Sequence, residues 1–209
     1  MNRKAIIVGG GVGGLTAAIC LRQIGWDVKV FETAPLSTEI GAGIQISPNG
    51  VKILQEIGVM RLLEESLFEP DSIEIRLGKS GKKLVQLPMK DVAADRWGAR
   101  YVQIHRSDLI VGLNNRLAQL SPNSVETGSE VISFDDRANT AIIKLQNGKT
   151  HEADLVVGAD GIHSTIRKQM FGAEKARFTG NVAWRAVIPV ERLGGLVPVS
   201  YTHLRAHET

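Results

Sequence analysis

Five glycines in six positions, Gly9-Gly-Gly-Val-Gly-Gly14, stand between an apolar run, Lys4 to Val8, and a stretch with helical apolar spacing, Leu15 to Gly25. Leu15, Ala18, Ile19, Leu21, Arg22 and Ile24 form the helical stripe, and Gly25 is a stop signal. Trp26 to Phe31, with Val28, Val30 and Phe31 apolar, reads as a second strand ending at Glu32. A glycine cluster this dense cannot continue a strand or sit inside a helix without cost, so the chain must turn sharply there. The segment is therefore one complete βαβ unit.

The spacing of Gly9, Gly11 and Gly14 fits the dinucleotide-binding fingerprint. The first glycine allows the tight strand-to-helix turn, the second lets backbone approach a pyrophosphate, and the third lets helix and strand pack closely. Gly13 lies in the same loop. The helix N-terminus adds free N–H groups and a positive dipole end. Glu32 follows Gly14 by eighteen residues, where a carboxylate accepts both hydroxyls of an adenosine ribose and repels a 2′-phosphate. The site reads as one for FAD or NAD and not NADP. The bland alternative is a merely structural turn; the flanking strand, helix, strand and acid argue against it.

Beyond Glu32, Ile40-Gly-Ala-Gly-Ile-Gln-Ile46 is a glycine-broken apolar strand, and Ser47-Pro48 caps a helix over 49–57 that Gly58 ends. A helix follows over 60–67. Ser72 to Leu77 alternates as a strand, with 83–87 as its hairpin partner. A strand over 101–104 precedes a long helix, Arg106 to Leu120. Three strands follow, over 130–135, 140–145 and 151–154, with Asn147-Gly148 as a hairpin turn. The apolar strand Leu155 to Val157 runs into Gly158-Ala-Asp-Gly161, which opens a helix. A last strand spans 181–189. There are no repeats and no low-complexity linker.

Composition excludes several classes. With 43% hydrophobic and 22% charged residues the chain is neither disordered nor collagen-like. No apolar run approaches the roughly 20 residues of a membrane helix, and the N-terminus is no signal peptide. The single cysteine, Cys20, expected to pack on its helix, implies a reducing, cytoplasmic compartment. A net charge of +3 without a Lys/Arg cluster excludes a nucleic-acid footprint. His105, His151 and His163 lack ligand spacing, so no metal is expected.

The last eleven residues, Val199 to Thr209, have no apolar period and no turn chemistry. They resemble one translated frame of the transposon-end adapter DNA used in sequencing libraries. On that reading the tail is irregular and the natural sequence stops at or next to Pro198; a disordered natural tail is the alternative.

Four features together resemble one family, the class A FAD-dependent aromatic hydroxylases of the salicylate and 3-hydroxybenzoate type. They are Gly9 to Gly14 with Glu32, Ile40 to Asn49, His105-Arg-Ser-Asp-Leu109, and Gly158-Ala-Asp-Gly161 with Arg167. The resemblance covers about residues 4–189. It implies an α/β fold: a Rossmann-like FAD-binding domain with a mostly parallel sheet and a three-stranded β-meander, plus the start of a β-rich substrate domain. The implied division is 1–70 and 101–178 for FAD binding, 71–100 for a substrate-domain excursion, 179–198 for a truncated sheet, and 199–209 for the tail.

By the same resemblance, Arg106 reaches the FAD phosphates or ribityl chain, the alternative being a solvated arginine. Asp160 and Gly161 meet the ribityl and diphosphate region, or Asp160 only caps the next helix, and both can hold. Thr33 and Val131 join the cofactor-contacting positions, and Arg167 holds its turn together. Gln45 lies beside the flavin ring, where the 6-hydroxynicotinate branch has histidine; Trp184 likewise replaces a histidine, unless it is core packing. Gln45 and Trp184 are thus the residues on the substrate side, and no catalytic acid or base is assigned.

The implied activity is hydroxylation of a small aromatic compound using FAD, NADH or NADPH, and O2, by a protein that is a monomer or homodimer at full length. The alternatives are an NAD-dependent dehydrogenase sharing the βαβ start, or an inactive FAD-binding fragment. Residues 1–209 alone are expected to hold FAD poorly and not to hydroxylate.

Overall fold

The computed structural model describes residues 3–34, 43–173, 177–182, 192 and, by their backbone, 201–205. The chain divides into two compact units, Met1–Ile40 with Ser107–Ala183, and Gly41–Arg106 with Trp184–Thr209. This division places 41–70 and 101–106 with the second unit, whereas the sequence division groups them with the FAD-binding domain.

In the first unit β1 (Lys4–Val8), α1 (Val12–Gln23) and β2 (Asp27–Glu32) form the βαβ unit. The rest comprises the long helix of Arg106–Leu120, β-strands at Val125–Thr127, Val131–Asp136, Ala141–Leu145, Thr150–Ala153 and Leu155–Gly158, and a helix at Thr165–Phe171. In chain order the second unit contributes β3 (Gly43–Ile46), α2 (Pro48–Glu56), α3 (Met60–Leu63), β4 (Ser72–Leu77), β5 (Lys83–Pro88), α4 (Val92–Trp97) and β6 (Val102–His105). The first-unit elements after them are α5, β7, β8, β9, β10, β11 and α6, and the strand Tyr201–Arg205 is β12.

Among the described residues the first unit has a wholly parallel sheet, ordered β11-β1-β2-β7. An antiparallel meander, β10-β9-β8, accompanies it. Ile6, Val8 and Phe31 of the parallel sheet pack with Val131, Ile143, Leu145 and Ala153 of the meander and Ile166 of α6. Each large apolar side chain buried there contributes about 1.5–3 kcal/mol.

Four sequence expectations change. Helix α1 starts at Val12, not Leu15, because Gly11 serves as N-cap and two glycines fit its first turn; it ends before Ile24, which is 71% exposed. Cys20 is exposed and not packed, because the inward stripe of α1 is Gly14, Leu15, Ala18 and Ile19. The helix expected over 60–67 is α3 followed by a 3-10 turn, Glu64–Ser66. Strand β7 and helix α4 had no clear signal, being three and six residues long. The tail is also not irregular throughout: β12 pairs in parallel with β4. The open edge of β4 presents unpaired N–H and C=O groups that a Tyr-Thr-His-Leu segment can satisfy. The expected strand over 181–189 lies mostly outside the described residues.

In β4, Glu74 is 5% exposed and binds Arg76 Nη2 at 2.6 Å and Lys83 Nζ at 3.2 Å. The hydrogen bond from Arg76 foremost, helped by Lys83, holds its carboxyl below the usual range. Glu64 is lowered by Arg100, and Glu126 by Lys29, in the same way. A depressed carboxylate stabilises the fold above its unfolded value, about 4.3, and that contribution disappears as pH falls through the folded value. The melting midpoint should therefore fall below about pH 4.3, and Glu74→Gln should make the fall shallower. An unchanged acid slope in Glu74→Gln, read by circular dichroism, would contradict this.

Candidate functional site

Strands β1 and β11 lie side by side with Val8 opposite Gly158, so two strand-to-helix turns leave the same end of the sheet. Gly9 has φ +106°, and its N–H donates to Phe31 O at 2.8 Å. Ala159 N–H donates to Val8 O at 2.8 Å.

The glycines fall into two groups. A Cβ on Gly9 would strike the Ala159 carbonyl oxygen, and one on Gly14 would strike the Gly9 carbonyl oxygen. A Cβ on Gly10 would lie 3.0 Å from Cβ of Glu32. The protein's own packing thus requires Gly9 and Gly14, and Glu32 leaves a side chain at position 10 little room. At Gly11 and Gly13 a Cβ would meet nothing within 4 Å. Among the described residues open space lies there, at the N-terminus of α1. The Leu15 N–H donates to Gly11 O at 2.9 Å, and no side chain among the described residues caps the helix. The N–H groups of Val12, Gly13 and Gly14 precede that bond, which makes them natural donors to an anion.

Glu32 is fixed at the end of β2. Its Oε2 accepts from Gly10 N–H at 2.5 Å and its Oε1 from Ala34 N–H at 2.8 Å. A carboxylate has about four lone-pair sites, so each oxygen keeps capacity for a further donor. Thr33, next in sequence, is exposed.

The second turn is built around Asp160. Its Oδ2 accepts from Thr165 N–H at 2.7 Å and Ile166 N–H at 3.1 Å, and its Oδ1 from Ser164 Oγ at 2.5 Å. Ser164 Oγ in turn accepts from Arg167 N–H at 2.9 Å. Asp160 therefore does cap α6, the simpler of its two expected roles. Gly161 takes φ +75°, and Arg167 Nη2 donates across the turn to Ile162 O at 2.8 Å. The side chain of Val131 is buried with the core.

In the second unit β3 and β6 form an antiparallel pair with Gln45 opposite Gln103. Gln45 is exposed. The Nε2 of Gln103 is buried and has no hydrogen-bond partner among the described residues. Arg106 opens α5 directly after β6 and is half-buried. Trp184 lies outside the described residues.

The structure gives three residues a part that their place in the sequence did not specify. Gly10 donates its N–H to Glu32 and lies close under its side chain, and its place in the glycine run was its one signal. Gly158 is needed because a Cβ there would lie 2.8 Å from Ile166 Cγ2. Gln103 had no sequence signal, since a glutamine in a strand is most often a solvated side chain.

Residues 2–191 match the family described as "FAD binding domain". The chain is 38% identical over 197 residues to 6-hydroxynicotinate 3-monooxygenase of Pseudomonas fluorescens, covering 93% of this chain and 50% of that protein. It is 35% identical to a 3-amino-4-hydroxybenzoate 2-monooxygenase of Streptomyces platensis, covering 95% and 49%. Among solved structures, the tetrameric form of 2-methyl-3-hydroxypyridine-5-carboxylic acid oxygenase superposes with a TM-score of 0.70 at 32% identity, covering 81% and 42%. Klebsiella pneumoniae HpxO complexed with FAD and uric acid superposes with a TM-score of 0.67 at 31% identity, covering 80% and 41%. The chain spans about half the length of the curated relatives it matches.

Proposed function

Because this chain belongs to the FAD-binding-domain family, we propose that it holds the FAD of a monooxygenase that hydroxylates a small aromatic substrate with NADH or NADPH and O2. The hydroxylase activity is proposed for a protein of its relatives' length. The observation that carries the reading is the open cradle at Gly11 and Gly13, beside an uncapped helix N-terminus and a fixed Glu32.

The donor set fits the cofactor. The N–H groups at the start of α1 bind the diphosphate. Glu32, oriented by Gly10 and Ala34, accepts from both ribose hydroxyls, and Thr33 lies beside it. Asp160 acts indirectly, holding its turn so that Gly161 presents bare backbone. Arg106 brings a fork of donors suited to phosphate. When bound, FAD supplies the activation of O2 and the transfer of oxygen to the ring. The chain's residues bind, orient and, with the remainder of the protein, exclude water.

Support for an aromatic substrate comes from the relatives' names, which concern hydroxynicotinate and aminohydroxybenzoate. Purified at its relatives' length, the protein should be yellow and release flavin on denaturation. A colourless protein that binds NAD alone would overturn the reading in favour of a dehydrogenase.

A further inference from the structure

Strand β7 is only three residues long, yet among the described residues it alone pairs with the outer side of β2. It sets Val30 opposite Val125, Phe31 opposite Glu126 and Glu32 opposite Thr127. So short a strand has few ladder bonds to hold it. Side chains supply further ties. Lys29 Nζ lies 3.1 Å from Glu126 Oε2 and donates to Asn123 O at 3.5 Å, so it joins β2 to the start and the middle of β7. Glu126 Oε1 accepts from Ser129 Oγ at 3.1 Å. The Lys29 hydrogen bond foremost, against the opposing effect of burial and with help from Ser129, keeps the Glu126 carboxyl below the usual range. At neutral pH it is therefore a pure acceptor, and the Ser129 hydroxyl is the donor.

Ser129 sits where this series of contacts meets Glu32. After β7 the backbone turns at Gly128, φ +66°, and the Ser129 N–H donates to Glu32 O at 2.9 Å. Ser129 is 7% exposed, and a hydroxyl so buried is costly unless it is bonded. Glu32 is thereby held at two places. Ser129 holds its main-chain carbonyl, and the N–H groups of Gly10 and Ala34 hold its carboxylate.

We propose that Ser129 is a positioning residue for the ribose-binding carboxylate: through Glu126 and Lys29 it fixes the backbone at Glu32, and with it the direction in which Oε1 and Oε2 face a ribose. This role presupposes that Glu32 takes the ribose, as proposed above. Ser129 acts through Glu32 and not on the ligand itself. Hydrogen bonds to two neighbouring hydroxyls need both carboxylate oxygens aligned at once. A small tilt of Glu32 is therefore felt at the ribose and not at the diphosphate, which the N–H groups of α1 hold.

The test is calorimetry on the 209-residue chain with two nucleotides, ADP and 2′,3′-dideoxy-ADP, which lacks both ribose hydroxyls. Ser129→Ala should weaken ADP by about two- to tenfold and leave 2′,3′-dideoxy-ADP unchanged. Glu126→Ala should do the same, and the double variant should be no weaker than the worse single one, as for groups that act as one unit. Equal weakening of the two nucleotides would make Ser129 an ordinary structural residue, and unchanged ADP affinity would overturn the inference outright. The Gly10 amide resonance is the second readout, because that N–H bonds Glu32 Oε2. It should shift in Ser129→Ala while that of Gly9, bonded to Phe31 O, stays in place. An unmoved Gly10 resonance would also overturn the inference. If the unsubstituted protein binds the two nucleotides equally, the ribose reading of Glu32 fails, and the Gly10 resonance alone then decides whether Ser129 positions that side chain.

Discussion

Gly14→Ala is expected to destabilise the first unit severely, with a melting midpoint lower by about 2–12 °C. The added methyl would occupy the position of the Gly9 carbonyl oxygen. It could be relieved only by lifting α1 from the sheet or by turning Gly9. The first exposes Leu15, Ala18 and Ile19, each fully buried. The second is blocked, because Gly9 sits at φ +106° against the Ala159 carbonyl. Overpacking of this kind costs about 1–3 kcal/mol or more, out of a total of about 5–15 kcal/mol. Gly11→Ala is the control. Gly11 has an ordinary φ of −74° and open space where its methyl would go, so the fold should be retained while cofactor affinity drops. Equal destabilisation by the two substitutions in a thermal melt would contradict the division of the glycines into packing and ligand groups.

Glu32→Ala should weaken FAD binding by roughly 10²- to 10⁴-fold in a protein of its relatives' length. Two charge-assisted hydrogen bonds to the ribose are lost, each about 1.5–3 kcal/mol. The carboxylate also anchors Gly10 and Ala34, so some of the loss would come from a loosened loop. Glu32→Gln separates the two effects: it keeps the side-chain length and one carbonyl acceptor but loses the charge. An intermediate affinity is expected from a titration of apoprotein with FAD. Unchanged affinity in Glu32→Ala would make Glu32 an ordinary solvated carboxylate.

The first βαβ unit was legible because its signals are local. Glycine spacing, two apolar runs and a terminal acid lie within one stretch of chain, and each has a single physical meaning. The meander was legible for the same reason, through alternation and the Asn147-Gly148 turn, and the structure agrees to within one residue at most strand ends. What was not legible depends on partners distant in sequence. Gly10 matters only because Glu32 folds back over it. Asp160 had two compatible sequence readings, and only the structure shows that its carboxylate accepts from the backbone of its own helix. Gln103 becomes informative only once its amide is found buried without a partner. The strand β12 could not be foreseen from its own pattern, because pairing with the edge of β4 defines it.

The most direct test of the cofactor reading is a comparison of ADP with 2′-phospho-ADP, titrated calorimetrically into the 209-residue chain. The donors at the start of α1 and the Glu32 carboxylate lie in the first unit, so the adenosine diphosphate end can be read with this chain. Saturable binding of ADP is expected, weakened by at least about tenfold when the 2′-phosphate meets Glu32. Equal or tighter binding of the 2′-phosphorylated compound, or ADP binding untouched by Glu32→Ala, would contradict the account.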